Sequence, residues 1–291
     1  MNPYLSVILA ALIWGSSGAF VRILGIPSTS LSFFRLAVPT LVLGIYFGFQ
    51  RGYRFNFRDR TMLLTSLLNA VRVPLYYLGF MYCSIGTAVI LTYTWPVFAT
   101  ILSSLLFKEK NTRRDLAMVF LAFTGTVIIS SSRDLQFTDR STIGMGALIV
   151  SSLLYSLTVL LFKKHASAYT PAETIMYQNF AGAVIYTPVF FFTNPKPALW
   201  QVGTATIYAI LIGLVAFGLF FFALKKIKSS HAAILAYMEI ISALIFAISF
   251  FHEHLTWNLI VGGLFILSSA FTLSRKPESG KKISPESNLQ V

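Results

Sequence analysis

The chain has 291 residues, of which 56% are hydrophobic and only 11% charged, whereas a soluble domain carries about 25% charged residues. Its 23 basic and 10 acidic side chains cannot cover a water-facing surface of this size, so much of the surface meets lipid and an ordinary cytosolic enzyme is excluded. The net charge of +13 does not point to nucleic acid, because the basic residues are spread over short loops and not gathered on one face.

A helix crosses the hydrocarbon core in about 20 residues, roughly 17 to 25 in practice, and ten apolar runs of that kind follow one another. The first, residues 3–21, has neither a basic leader nor a small-residue cleavage site and reads as a retained helix, not a removed signal peptide. Its Trp14-Gly15-Ser16-Ser17-Gly18 suits close helix packing. Runs 30–49, 62–82, 85–107 and 116–132 complete a first group of five. After a polar break, runs 142–162, 171–192, 200–224, 232–251 and 257–273 form a second. Residues 276–291, rich in Ser, Pro, Glu and Lys, have too little apolar surface to fold and are expected to be a disordered cytoplasmic tail.

Lys and Arg in alternate loops set the orientation, because short cytoplasmic loops retain positive charge. One set of loops, with the tail, holds 17 of them, including Arg51, Arg54, Arg58, Lys108, Lys163 and Lys225. The other set holds Arg22, Arg133, Arg140 and Lys196. Both termini are therefore expected in the cytoplasm of a multi-pass protein of the cell (inner) membrane.

The two groups of five resemble each other at a shift of 144 residues. Eight of 22 positions are identical between 88–109 and 232–253, among them Tyr93/Tyr237, Phe107/Phe251 and Glu109/Glu253, where composition alone gives roughly two. Five is odd, so the second group enters the bilayer from the opposite side. The expected fold is all-α integral membrane, with ten transmembrane helices as two inverted five-helix repeats, 1–140 and 141–275. Such repeats characterise secondary transporters that expose a midplane site alternately to either face.

Leu12-Ile13-Trp14-Gly15-Ser16, Phe33-Phe34-Arg35-Leu36, Tyr93-Thr94-Trp95-Pro96-Val97 through Glu109, and Tyr237-Met238-Glu239 through Glu253 together resemble the EamA family of the drug/metabolite transporter superfamily, over about residues 5 to 274. The resemblance implies a ten-helix basket with a central cavity that moves small metabolites, often amino acids or their derivatives, and often outward. The chain departs from the family's Glu-Pro pair in the ninth span, having Glu239-Ile240, while Pro96 stands at the matching place in the fourth.

Ionisable side chains inside a span are costly and face the bundle interior or a wet cavity. At 1.5 Å per residue, Arg72 lies roughly 15 Å into its run and Glu239 roughly 12 Å, a shared depth near the midplane. They either contact substrate or form an ion pair holding the halves together. Glu239 is also the candidate for proton coupling, provided Arg72 does not hold it ionised. Arg35 is shallower, roughly 8 Å from the outer edge, which favours snorkelling or packing. Asn69, Arg72 and Tyr76 share one helix face and form a candidate cavity wall.

Trp14, Tyr93, Trp95, Tyr155 and Tyr237 sit too deep for an interfacial belt and either line the cavity or pack between helices. Pro96 frees a backbone carbonyl beside Trp95 that a cavity can use. Gln178 and Asn179 need hydrogen-bond partners if buried. His231, His252 and His254 read as solvated loop residues, and with the lone Cys83 they make no metal site. No phosphate-binding glycine loop ends in Lys-Ser or Lys-Thr, and no cofactor is expected.

These readings converge on a secondary transporter, expected to be an exporter, of small amphipathic metabolites such as amino acids or amino-acid derivatives, working by alternating access. Its partners are a small-molecule substrate, the lipid bilayer, and protons or a counter-substrate. Broad efflux of aromatic or cationic drugs is the alternative within the class. A passive channel or a membrane-embedded enzyme is the rival outside it.

Overall fold

The computed structural model describes residues 1–50, 59–83, 85–131, 139–192, 194, 196–251 and 256–274. Expectations for Arg51, Arg54, Arg58, Arg133, His252, Glu253, His254 and the 276–291 tail lie outside the described residues.

The described residues are helical and contain no strand. The first half runs α1 (Pro3–Gly15), α2 (Ser17–Leu24), α3 (Ser28–Phe49), α4 (Arg60–Tyr82), α5 (Ile85–Thr92), α6 (Trp95–Phe107) and α7 (Arg113–Ser130). The second runs α8 (Asp139–Lys164), α9 (Pro171–Phe192), α10 (Leu199–Ile210), a π-helical stretch Leu211–Ala216, α11 (Phe217–Leu224), α12 (Ser229–Ala236), α13 (Met238–Phe251) and α14 (Trp257–Ser274). Local chemistry sets several boundaries. The Asn2 side chain accepts from the Tyr4 amide at 2.9 Å, Asp59 accepts from Met62 N at 3.0 Å, and Thr112 and Asp115 cap α7 reciprocally. Gly25 ends α2 at φ 57°, a left-handed conformation that costs glycine little.

Seven helical runs are long and apolar enough to cross a bilayer: Ser28–Phe49, Arg60–Tyr82, Ala88–Leu106, Asp139–Lys164, Pro171–Phe192, Leu199–Leu224 and Ser229–Phe246. Of the other three expected runs, α1 and Trp257–Thr272 are apolar but shorter, and α7 opens on Arg113-Arg114-Asp115. The chain is thus a multi-pass helical membrane protein. Large apolar side chains such as Leu41, Ile45, Leu105 and Phe192 point outward, as a lipid-facing surface requires.

α3 packs along α9, α7 along α14, α4 along α8 and α1 along α13. Two pairs of elements have bounds displaced by 144 residues, α5 onto α12 and α7 onto α14. Between helices in lipid no hydrophobic gradient drives association, so small residues that let backbones approach do much of the work. A Cβ on Gly262 would stand 2.4 Å from the Gly125 carbonyl oxygen, and one on Gly125 would stand 2.6 Å from that of Gly262. Gly262→Leu is therefore expected to push α7 and α14 apart and destabilise the protein by about 1–3 kcal/mol, seen as a lower melting temperature in detergent. Gly146→Ala, at a site with nothing within 4 Å, should not lower it.

One end of the bundle carries a buried polar network. Tyr4 Oη lies 3.1 Å from His231 Nδ1, and His231 Nε2 lies 3.1 Å from Asp115 Oδ1. Lys228 Nζ stands 3.8 Å from Asp115 Oδ2, and Ser229 Oγ donates to Glu109 Oε1 at 3.0 Å. Burial acts to raise the Asp115 pKa, but the Thr112 amide and His231 outweigh it and hold the carboxyl below its ordinary value. This corrects the reading of His231 as a solvated loop residue: it stands in the first turn of α12, closed in by α1 and α7.

Candidate functional site

Three helix interruptions and the π-helical stretch meet in the interior. At the first, Ser16 bonds back to the Ile13 carbonyl through both its amide (3.1 Å) and its hydroxyl (2.7 Å), separating α1 from α2. The second separates α5 from α6 at Tyr93-Thr94, where Pro96 has no amide to offer the Thr92 carbonyl. The third separates α12 from α13 at Tyr237, 144 residues further on. No proline stands there; three-residue turns do the work instead, Tyr237 N to Ile234 O at 3.2 Å and Ile240 N to Tyr237 O at 3.0 Å. The two breaks interlock. Tyr237 Oη donates to the Tyr93 carbonyl at 2.9 Å, and the two rings stack at 5.5 Å.

Carbonyls around the break near Pro96 accept hydrogen bonds from α8. Ser152 Oγ donates to the Leu91 and Thr92 carbonyls at 2.9 and 3.0 Å, and Ser156 Oγ donates to Trp95 O at 2.8 Å. α8 presents two serines one helical turn apart, and both reach the break.

Around these interruptions lies a cavity of about 110 Å³. Trp14, Arg72, Tyr76, Tyr93, Trp95, Tyr155 and Glu239 line it, together with Ser17, Arg35, Val73, Tyr77, Thr92, Tyr208, Ile212 and Phe217. Aromatic pairs brace its walls: Trp95 packs edge-on to Tyr155 at 4.8 Å, Trp14 lies 4.8 Å from Phe217, and the Tyr77 and Tyr208 hydroxyls stand 3.5 Å apart.

Arg72 and Glu239 do not pair. Among the described residues no carboxylate oxygen lies within 4 Å of either the Arg72 or the Arg35 guanidinium, so the ion-pair alternative is corrected. Arg72 donates through Nε to Asn69 Oδ1 at 3.2 Å, and its guanidinium carbon sits 4.3 Å from the Tyr155 ring centroid. Glu239 lines the same cavity as Tyr93 and Tyr76.

Arg35 departs from the snorkelling account. It is 7% exposed, its guanidinium carbon is 4.6 Å from the Phe217 ring centroid, and Nη1 stands 3.5 Å from Asn179 Oδ1. Of the two expected roles, packing is the one it takes, because the side chain follows the α3–α9 contact inward. The repeat carried the missed signal, since Arg35 and Asn179 are 144 residues apart.

Three expected site residues stand behind the wall. Asn69 gives its amide to the Gln178 carbonyl at 2.7 Å and its oxygen to Arg72. Tyr237 is fully buried against Tyr93. Gln178 is buried, and neither polar atom of its side chain has a hydrogen-bond partner. Tyr77, Tyr208 and Phe217 were missed because tyrosine and phenylalanine recur throughout the chain.

The chain is 26% identical over 277 residues to an uncharacterized transporter of Archaeoglobus fulgidus, covering 93% of this chain and 96% of that one. It is 23% identical over 286 residues to a probable terminal-alkyne amino-acid exporter of Streptantibioticus cattleyicolor, covering 93% of each. A solved crystal structure of a protein superposes with a TM-score of 0.78 at 17% identity, over 95% of this chain and 99% of that chain, and shares the fold. The model of the EamA-like transporter family matches residues 1–131 and 142–275. Broken apolar helices around a polar, aromatic cavity are a transporter's construction, and on that match the chain belongs to the EamA-like transporter family.

Proposed function

We propose that this protein is a secondary transporter of the inner membrane that exports a small amphipathic metabolite, such as an amino acid or a derivative of one, by alternating access. In this reading the polypeptide crosses the bilayer ten times, α1 with α2, α5 with α6, and α12 with α13 each forming one interrupted span. Residues 1–140 and 141–275 are then inverted repeats. The displacement of α5 onto α12 and α7 onto α14, and the interlocked breaks at Tyr93 and Tyr237, support this.

The observation that carries the reading is the cavity itself, which sets Arg72, Arg35 and Glu239 among aromatic walls where three helices break. A carboxylate can meet an arginine, an ammonium can meet Glu239, and the rings take up the remainder. The relative named as a probable amino-acid exporter favours the same class of cargo. Glu239 and the rings alone would also serve a cationic aromatic drug, and the two arginines disfavour that cargo by charge repulsion.

Both expectations are open to test. Reporter fusions should place the C-terminus in the cytoplasm and a fusion near Arg133 outside; a cytoplasmic signal at Arg133 overturns the span count. In a Cys83→Ala background, a cysteine replacing the cavity-lining Ser17 should change its labelling rate when cargo is present. Equal labelling from both sides at all times would show a channel, and liposome counterflow driven above equilibrium would show a carrier.

A further inference from the structure

Hydrogen-bond donors outnumber acceptors in the cavity. Two guanidiniums line it, and among the described residues neither has a carboxylate within 4 Å. Asn69, Asn179 and the rings of Tyr155 and Phe217 hold these cations in place without neutralising them. Trp14 Nε1, which can only donate, lies buried with no hydrogen-bond partner, and Thr92 Oγ1 is likewise unpartnered. Against these stands one carboxylate, Glu239. A neutral zwitterion would offset only one of the two arginines and leave a buried cation uncompensated, which is costly.

Resting on the transport reading, we infer that the cargo is an amino dicarboxylate: a small molecule with two anionic oxygen groups and one ammonium, one anionic group for Arg72, the other for Arg35, and the ammonium for Glu239. Guanidinium forks match planar carboxylates by paired N–H donation. The Trp14 indole N–H is available to an oxygen of the same molecule. Phosphate esters present related anionic oxygens, so a phosphorylated amine belongs in the test.

The experiment is counterflow in proteoliposomes with six probes: L-aspartate, L-glutamate, succinate, phosphoethanolamine, L-leucine and L-lysine. L-aspartate or L-glutamate should exchange at least tenfold faster than leucine or lysine, with succinate slower for want of an ammonium. Arg35→Gln should lower the acidic-to-neutral preference at least tenfold while the melting temperature holds, and Arg35→Lys should keep part of it. The wild-type ranking tests the inference even if a variant fails to fold. Faster exchange of leucine or lysine overturns the inference and leaves the transport reading standing. Phosphoethanolamine ahead of both amino dicarboxylates reassigns the arginines to a phosphoryl group and overturns it too, and succinate equal to aspartate removes the role given to Glu239. No flux with any probe refutes the inference, and the labelling of Ser17→Cys then decides separately whether the protein is a carrier.

Discussion

Arg72→Leu is expected to cut transport at least about thirtyfold, and adding Glu239→Leu is expected not to restore it. Removing one partner of a buried, hydrogen-bonded charge contact costs about 2–5 kcal/mol, and each 1.4 kcal/mol is about a factor of ten. If Arg72 and Glu239 neutralised each other, deleting both would be nearly neutral and the double variant would recover. The structure separates them: Arg72 turns to Asn69 and the Tyr155 ring and makes no ion pair with Glu239. In the proposed transport reading each substitution removes a different contact to cargo. Flux in proteoliposomes, with melting temperature as the folding control, checks this. A double variant that folds and transports at the wild-type rate would show that neither residue contacts cargo. Asn69→Ala keeps the charge but removes the acceptor for Arg72 Nε, so it should raise KM more than it lowers the maximal rate.

Glu239→Gln should lower flux by about ten- to a hundredfold and flatten its dependence on pH between 5 and 8. A hydrogen bond to a charged group is worth about 1.5–3 kcal/mol, and the amide keeps the shape of the carboxylate while giving up its charge and its ability to take a proton. Glu239 stands in the first turn of α13, just past the break at Tyr237, and lines the cavity. If it meets the ammonium of the cargo, the variant loses affinity. If it carries a proton through the cycle, the variant loses the pH response. Wild-type flux that is independent of pH would remove the proton role, and unchanged affinity in the variant would remove the cargo contact.

The class of protein was legible in the sequence because hydropathy averaged over some 20 residues needs no knowledge of neighbours. The repeat was legible because aligned identities such as Tyr93/Tyr237 survive in the linear order. Trp14, Arg72, Tyr76, Tyr93, Trp95, Tyr155 and Glu239 line the cavity, for a related reason: a charge or a large polar ring deep in an apolar run must face something other than lipid.

The tertiary structure decided which groups meet. Successive residues turn by about 100° around a helix axis, so small differences in rotation choose between lipid, a neighbouring helix and a cavity at the same depth. That choice brought Arg35 inward to Asn179 and Phe217, and it buried His231 between Tyr4 and Asp115. It gave the carbonyls near Pro96 to Ser152 and Ser156, and it left Arg72 and Glu239 unpaired. Depth follows from position along the chain; direction around the axis follows from packing, which no local run of residues encodes.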